Sequence, residues 1–417
     1  MPNFSIPLSG LTADATALSA IANNLANQNT TGFKSVRVLF RDVFYQNFGT
    51  TGSGDPIQLG AGTQIGSLPS QFTQGTVQTT GVPTDVAIQG GGFFVVQNGG
   101  VVSYTRDGTF AVDKDNFLVT SAGQQVLGYP AVNGVVTPGV GLSALQLGAG
   151  TISPPDATTS VQVTSNLDAS AAVGATFSTP ITVFDSLGTS HVLTFTFTKT
   201  GANGWSYALS LPPADFTPAV TVPPTPAGQV ATGTLTFDAN GNLTTPAGDV
   251  TGITVPTLSD GASNLSFSWK LFDGTTSLVT QVAGPSSTSA TQQDGGSSGG
   301  LVDFNIGADG TVSGSFSNGK TAPLGQIALA NFADLQGLQR DGNNDFSETL
   351  ASGQAVIGTA GTGGRGSLSG GGLELSNVDI ATEFANLIVA QRAFEANAKA
   401  VTTFDQITQD TINLKQG

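Results

Sequence analysis

The stretch LELSNVDIATEFANLIVAQRAFEANAKAVTTFDQITQDTINLKQG, residues 373–417, decides how this chain is read. No glycine or proline interrupts it from Val378 to Lys415. It therefore predicts one helix of about 36 residues, roughly 54 Å long. Ser376 reads as the N-cap, with Asp379 three residues on completing a capping box. From there Ile380, Phe384, Leu387, Gln391, Phe394, Ala398, Val401, Asp405, Thr408 and Ile412 alternate steps of four and three, the period of a coiled-coil seam. The seam is apolar as far as Val401 and weakens beyond it. Glu383 stands early and Lys399 and Lys415 late, as the helix dipole prefers, and Glu395 with Lys399 makes an i,i+4 pair.

The opposite end mirrors this. Phe4, Leu8, Leu11, Ala15, Leu18, Ala22 and Leu25 follow the same alternation. Pro7 fits only in a first turn, so the helix starts near residues 5–8, frays near Asn27 and stops at Gly32. Its other face carries Ser9, Thr12, Thr16, Ser19 and Asn23, all uncharged, and no charge lies between Asp14 and Lys34. Each exposed Leu or Phe forgoes roughly 1.5–3 kcal/mol of burial, so neither helix is expected to stand alone. The two are expected to pair. Because they differ in length, and the shorter has an uncharged back, neighbouring copies are expected to cover what the pairing leaves. Self-assembly is the main physical inference from the ends.

Composition narrows the rest. The chain has 417 residues, with 56 Gly, 20 Pro and only 10% charged residues, which favours β-structure with many turns. Absence of cysteine excludes a disulfide-stapled domain and any thiolate zinc site. A net charge of −15 argues against nucleic acid. The first positive charge is Lys34, so no basic n-region is present. No segment approaches the ~18 apolar residues of a membrane span, so membrane insertion is not expected. The chain is expected to be cytoplasmic or exported without a cleaved signal.

Residues 31–75 read as a connector, in which SVRVLFRDVFYQNF loosens into the turns of GTTGSGDPIQLGAG. Strands dominate from residue 76. GGGFFVVQNGG holds a short buried strand, Phe93 to Val96. YTRDGTFAVDKDNFLVTSAGQQVLGY reads as hairpins, with Arg106, Asp107 and Gly108 at one turn and Lys114, Asp115 and Asn116 at another. A second β-unit covers residues 151–295. There Leu193, Phe195 and Phe197 alternate with threonines, and Trp205, Tyr207, Leu209 and Leu211 alternate after the next turn. GPSSTSATQQDGGSSGG, residues 284–300, reads as a low-complexity link. The predicted fold class is α+β, mainly β. The layout is nested: residues 1–30 and 375–417 form a paired helical domain, 76–150 and 301–370 a β-rich domain, and 151–295 an inserted β-domain.

Catalytic chemistry is not legible. His191 is the sole histidine, and without a second His or a Cys it builds no His-based triad or His-rich metal site. Gly361, Gly363 and Gly366 match G-x-G-x-x-G but no βαβ unit surrounds them. DGNNDF, residues 341–346, has Phe346 where a calcium loop needs its tight-turn glycine and Ser352 where it needs its bidentate glutamate, so it reads as a turn. No catalytic, cofactor or metal residue is assigned, and the chain is not expected to be an enzyme.

SGLTADATALSAIANNLANQNTTGFK, residues 9–34, and LELSNVDIATEFANLIVAQRAFEANAKAVTTFDQI, residues 373–407, resemble the terminal signatures of the bacterial flagellar rod and hook axial protein family. GGGFFVVQ is similar to that family's β-domain. ITVFDSLGTSHVLTFTF, GTLTFDANGNL and NGKTAPLGQIALANFADLQGLQRDGNNDFSET are similar to its hook branch. The match is poorest over 211–230 and 275–300. The resemblance implies a homopolymer subunit of the curved hook, a universal joint between motor and filament. It implies passage through the flagellar type III export apparatus without cleavage. Rod, hook-cap and hook–filament junction proteins would be its partners, and it would lie outside the cell at the hook and basal body. It implies that Leu11, Leu18 and Leu25, with Leu8, face the C-terminal helix at Ile380, Phe384, Leu387, Phe394 and Val401, while the small face meets neighbours or a channel. Asn23, Asn24 and Asn27, with Asn29, would cap the helix end and direct a turn at Gly32 and Phe33. A distal rod protein and, in another class, a β-rich surface adhesin or glycan-binding protein are the alternatives.

Overall fold

The computed structural model describes residues 4–132, 134–147, 151–216, 228–256 and 258–416. Part of the variable stretch 211–230 lies outside them, and so does the side chain of Lys415. The chain folds as two compact units. One takes Met1–Ala149, Asp303–Gly314 and Ala322–Gly417; the other takes Gly150–Val302 and Ser315–Thr321.

In the first unit, helix α1 spans Ser5–Ala26 and helix α2 spans Ile380–Gln416. At 1.5 Å per residue these are about 33 and 55 Å long. They pack antiparallel: Phe4 meets Phe404 with ring centroids 6.0 Å apart, Asp14 meets Asn397, and Asn24 meets Glu383. The α2 cap is Asp379, not Ser376. Its Oδ1 accepts from the Thr382 amide at 2.9 Å, while Ser376 Oγ only accepts weakly from Val378 at 3.4 Å. The helix is delayed because Asn377 is engaged elsewhere. Its Oδ1 accepts from the Ser35 amide at 2.8 Å and its Nδ2 donates to the Gln71 carbonyl at 2.7 Å.

Residues 31–75 are more than a connector. Leu39–Asp42 pairs with Thr63–Ser67, and Tyr45–Thr50 pairs with Pro56–Gly60. The alternation of bulky and polar residues that suggested a loosening link gives instead two exposed β-pairings with the glycine-rich turn at their tip.

The centre of this unit is the strand Phe93–Asn98, paired with Val101–Thr105, with Gln125–Val132 and with Leu329 and Ala330. Phe94 and Val96 enter one core and Phe93 and Val95 another, so the four-residue apolar run is a strand buried on both faces. Gly108 lets the chain pass this core, because a Cβ there would stand 1.6 Å from the Val86 carbonyl oxygen. Arg106, expected at a turn, is buried, and Asn116 occupies a turn, with φ +67°.

The second unit is a sandwich of two five-stranded sheets over one core. Phe195 and Tyr207 from one sheet pack on Trp269 of the other, with centroids 4.9 and 5.1 Å apart. The alternation in 191–211 is the period-two pattern of a sheet with one buried face. Residues 284–300 are not a bare link: Ser287–Gln293 pairs antiparallel with Ser160–Asp168. A strand needs only backbone partners and tolerated side chains, and Ser, Thr and Gln supply the latter on an exposed face.

Candidate functional site: a helix seam and its buried anchor

The face that α1 turns inward is its small one. Pro7, Gly10, Ala13, Ala17 and Asn24 are buried, whereas Leu11, Leu18 and Leu25 are half-buried and Leu8 is 55% exposed. The most buried residues of α1 are thus the small ones, and the leucines expected against the second helix are only partly covered. The physical reason lies at Gly10. A Cβ there would come within 2.7 Å of Asn397 Nδ2, so at Gly10 the small face of α1 lies directly against the second helix. Asn397 Nδ2 in turn donates to Asp14 Oδ2 at 2.8 Å.

On α2 the partly covered positions include Glu383, Leu387, Ala390, Phe394, Asn397, Val401, Phe404 and Thr408, again a step of four and three. Leu387, Phe394 and Val401 thus lie on the covered side. Ile380 and Phe384 do not: they are 47% and 52% exposed. Ile388, Val389, Ile407, Ile412 and Leu414 are exposed as well. With Phe44 just before the exposed pairing of Tyr45–Thr50 and Phe48 on it, this unit shows water far more apolar surface than the scattered single residues of an ordinary monomer.

What holds the seam to the β-structure is a buried ionic cluster. Lys34 Nζ donates to Glu374 Oε1 at 2.6 Å and to the Thr73 carbonyl at 2.9 Å. Arg106 Nη1 donates to Glu374 Oε2 at 3.2 Å, and Arg106 Nη2 to the Gly90 carbonyl at 2.8 Å. The Gly75 amide adds a bond to Glu374 Oε1 at 2.8 Å. Side chains of Lys34 and Glu374 are wholly buried. Burial pushes the Lys34 ammonium below its ordinary pKa, with the Glu374 contact pulling back and Arg106 adding to the fall. One carboxylate therefore ties the end of α1, the approach to α2 and the β-core together.

The asparagines divide their work. Asn24 Nδ2 donates to the Val36 carbonyl at 2.9 Å and to Glu383 Oε1 at 3.1 Å, and Asn24 Oδ1 accepts from the Val36 amide at 2.9 Å. It clasps three segments rather than capping. Asn27 does serve the helix end, donating to the Asn23 carbonyl at 2.9 Å and accepting from Thr30 Oγ1 at 3.1 Å. Asn23 is exposed. Gly32 turns the chain at φ +68°, hard against the Arg106 backbone, and its amide donates to the Glu374 carbonyl at 2.7 Å. Phe33 is buried beneath the Arg340 guanidinium, 5.5 Å from its ring centroid.

Sequence reading missed Lys34, Arg106, Glu374, Asn377 and Arg340. A usable signal existed for Lys34, which is the first cation after an uncharged run and follows Gly-Phe directly. Nothing local marks Arg106 or Glu374 as partners, since 268 positions separate them. Among the described residues no helix is long and apolar enough to cross a membrane.

Comparison with known proteins places these features. The description "Flagella basal body rod protein" matches residues 6–34 and "Flagellar hook protein FlgE/F/G D1 domain" matches 87–166. "Flagellar basal body protein FlaE D2 domain" matches 152–295 and "Flagellar basal body rod FlgEFG protein C-terminal" matches 369–414. The crystal structure of Helicobacter pylori flagellar hook protein FlgE2 aligns with a TM-score of 0.46 at 15% identity, over 70% of this chain and 98% of its own. Flagellar hook protein FlgE of Treponema pallidum is 35% identical over 456 residues, 98% of each chain. That of Escherichia coli K12 is 38% identical over 430 residues, 99% of this chain and 100% of the relative. With identity of that order along both full lengths, the chain belongs to the flagellar hook protein FlgE family.

Proposed function

We propose that this chain is the structural subunit of a bacterial flagellar hook and polymerises with copies of itself into the hook's tube. One observation carries the reading: a pair of terminal helices, firmly anchored to its own β-core, leaves Leu8 on the shorter helix and a set of apolar residues along the longer one uncovered. Water is a poor long-term partner for that surface, and a second copy is the partner a homopolymer supplies. The relatives are structural flagellar proteins rather than enzymes, and full-length similarity to hook proteins disfavours both the distal-rod and the adhesin readings.

The finer picture rests on the same surface. Leu8, Ile380, Phe384 and Ile388 are the residues offered to neighbouring copies. Curvature and torque transmission, as in a universal joint, follow from an ordered helical layer combined with β-units whose mutual contacts break and re-form. Export through the flagellar type III apparatus and docking to rod, hook-cap and junction proteins belong to the same proposal.

The test is polymerisation of the purified chain, viewed by negative-stain microscopy. Curved tubes are expected. Monodisperse particles at every concentration and salt would overturn the reading.

A further inference from the structure

We propose that the sandwich unit carries a divalent-cation site for a first-row transition metal such as Zn2+ or Mn2+, ligated by His191, Asp185 and Asp260 and oriented by Asp215. One ligand atom from each of the three ligands lies within 4.8 Å of the others. They come from separate segments. Asp185 lies in the turn after the strand Thr176–Phe184, and His191 is the second residue of the strand Ser190–Gly201. Asp215 ends the short 3-10 turn Pro213–Asp215, and Asp260 follows the bridge between Phe216 and Leu258.

The contacts set both ring nitrogens of His191 against carboxylates. Asp185 Oδ1 accepts from the Leu187 and Thr189 amides at 2.8 and 2.9 Å, which frees Oδ2 to face His191 Nε2 at 3.1 Å. The other ring nitrogen, Nδ1, stands 3.0 Å from Asp215 Oδ2. A carboxylate oxygen of Asp260 lies within 4.8 Å of the ligand atoms of Asp185 and His191. Carboxylates only accept, so a cation between them would be held by both. Three carboxylates surround one imidazole, and among the described residues no lysine or arginine pairs with any of the four. His191 is 5% exposed and the Asp185 side chain is fully buried, so water does not relieve the charge of Asp185, while Asp215 is partly exposed and Asp260 is exposed.

A metal answers each point. Ligand atoms about 2.0–2.2 Å from a metal and adjacent in its coordination shell lie roughly 3.0–3.4 Å apart, as Nε2 and Oδ2 do. A carboxylate on Nδ1 fixes the tautomer that presents Nε2 to a metal. The mixed nitrogen and oxygen set suits Zn2+ or Mn2+ better than the all-oxygen preference of Ca2+ and Mg2+. Bound there, the cation ties three segments at one place in the sandwich.

The full chain tests this cleanly, because its single histidine gives one pair of imidazole nitrogen signals. Uniformly 15N-labelled protein, stripped with EDTA, is titrated with Zn2+ at neutral pH. One equivalent is expected to convert the imidazole to the Nδ1–H tautomer with a metal-bound Nε2, and calorimetry is expected to show one such site. Asp260→Asn, at an exposed position, is expected to keep the fold and weaken binding about 10- to 100-fold. Imidazole signals untouched by stoichiometric Zn2+ would overturn the proposal. So would Asp260→Asn and Asp185→Asn proteins that bind as tightly as the parent, since that result assigns the binding to the acidic surface at large.

Discussion

Glu374 shows how much one side chain carries. It sits without solvent between Lys34 and Arg106 and also accepts from the Gly75 amide. Removing one partner of a buried pair strands the other charges, at a cost of about 3–5 kcal/mol. Glu374→Gln keeps the shape and removes the charge. It is expected to lower the melting temperature of the helical signal sharply, and an unchanged melt would show that the cluster is energetically idle. Asp345 offers an opposite case. Burial lifts its carboxyl above the ordinary 3.8, the bond from Gln124 opposes that, and Asp341 and Asp107 add to the rise. A folded pKa above the unfolded one means that the native state holds the proton more tightly. The ionised group therefore costs stability at neutral pH, and that cost is relieved as pH falls through the folded pKa. Asp345→Asn is expected to melt higher than the parent at pH 7, with the gap closing below about pH 4; a gap that widens in acid contradicts the assignment.

At the scale of elements, the lesson of α1 is that period and phase are separate pieces of information. The alternation of four and three was legible and does predict two pairing helices. Which stripe goes inside was not, because a row of leucines and a row of small residues share the same helix and the same period. Gly10 adds a steric reason at one point: with no Cβ, it makes room for the Asn397 side chain. The same limit explains the cap. Ser376 and Asp379 both look like N-caps, and only the capture of Asn377 by residues 35 and 71 selects the later one. His191 likewise read as an isolated strand residue, because its three acidic neighbours arrive from up to 69 positions away in sequence. Two variants separate the stripes. Gly10→Leu overfills the seam and is expected to destabilise the helix pair by about 1–3 kcal/mol, visible in the monomer. Leu8→Ser, at an exposed position, is expected to leave the monomer's melt within about 0.5 kcal/mol of the parent while raising the concentration needed for tubes. Tubes unaffected by Leu8→Ser would remove this leucine from the assembly surface.

For the whole molecule, the question is whether two compact units mean two folding events. Each unit has its own buried cluster: Trp205, Trp269 and their neighbours in the sandwich, and Phe94, Ile327 and Leu329 with theirs in the unit that carries the helices. The chain contains only two tryptophans, and both lie in the sandwich. Both α-helices lie in the other unit. Intrinsic fluorescence therefore reports one unit and the helical circular-dichroism band mainly the other. Non-coincidence of two probes is the mark of unfolding in more than one step. Denaturant titration is expected to give separate midpoints for the two signals, and replacing residues 151–302 by a short Gly/Ser linker is expected to abolish the fluorescence transition while keeping the helical one. That shortened chain also tests the division of labour between assembly and curvature. If the helices and their anchor drive polymerisation, it forms tubes that are straight or weakly curved. If it melts normally but forms no tubes under any condition that polymerises the parent, assembly depends on the sandwich, and the terminal helices do not carry it alone.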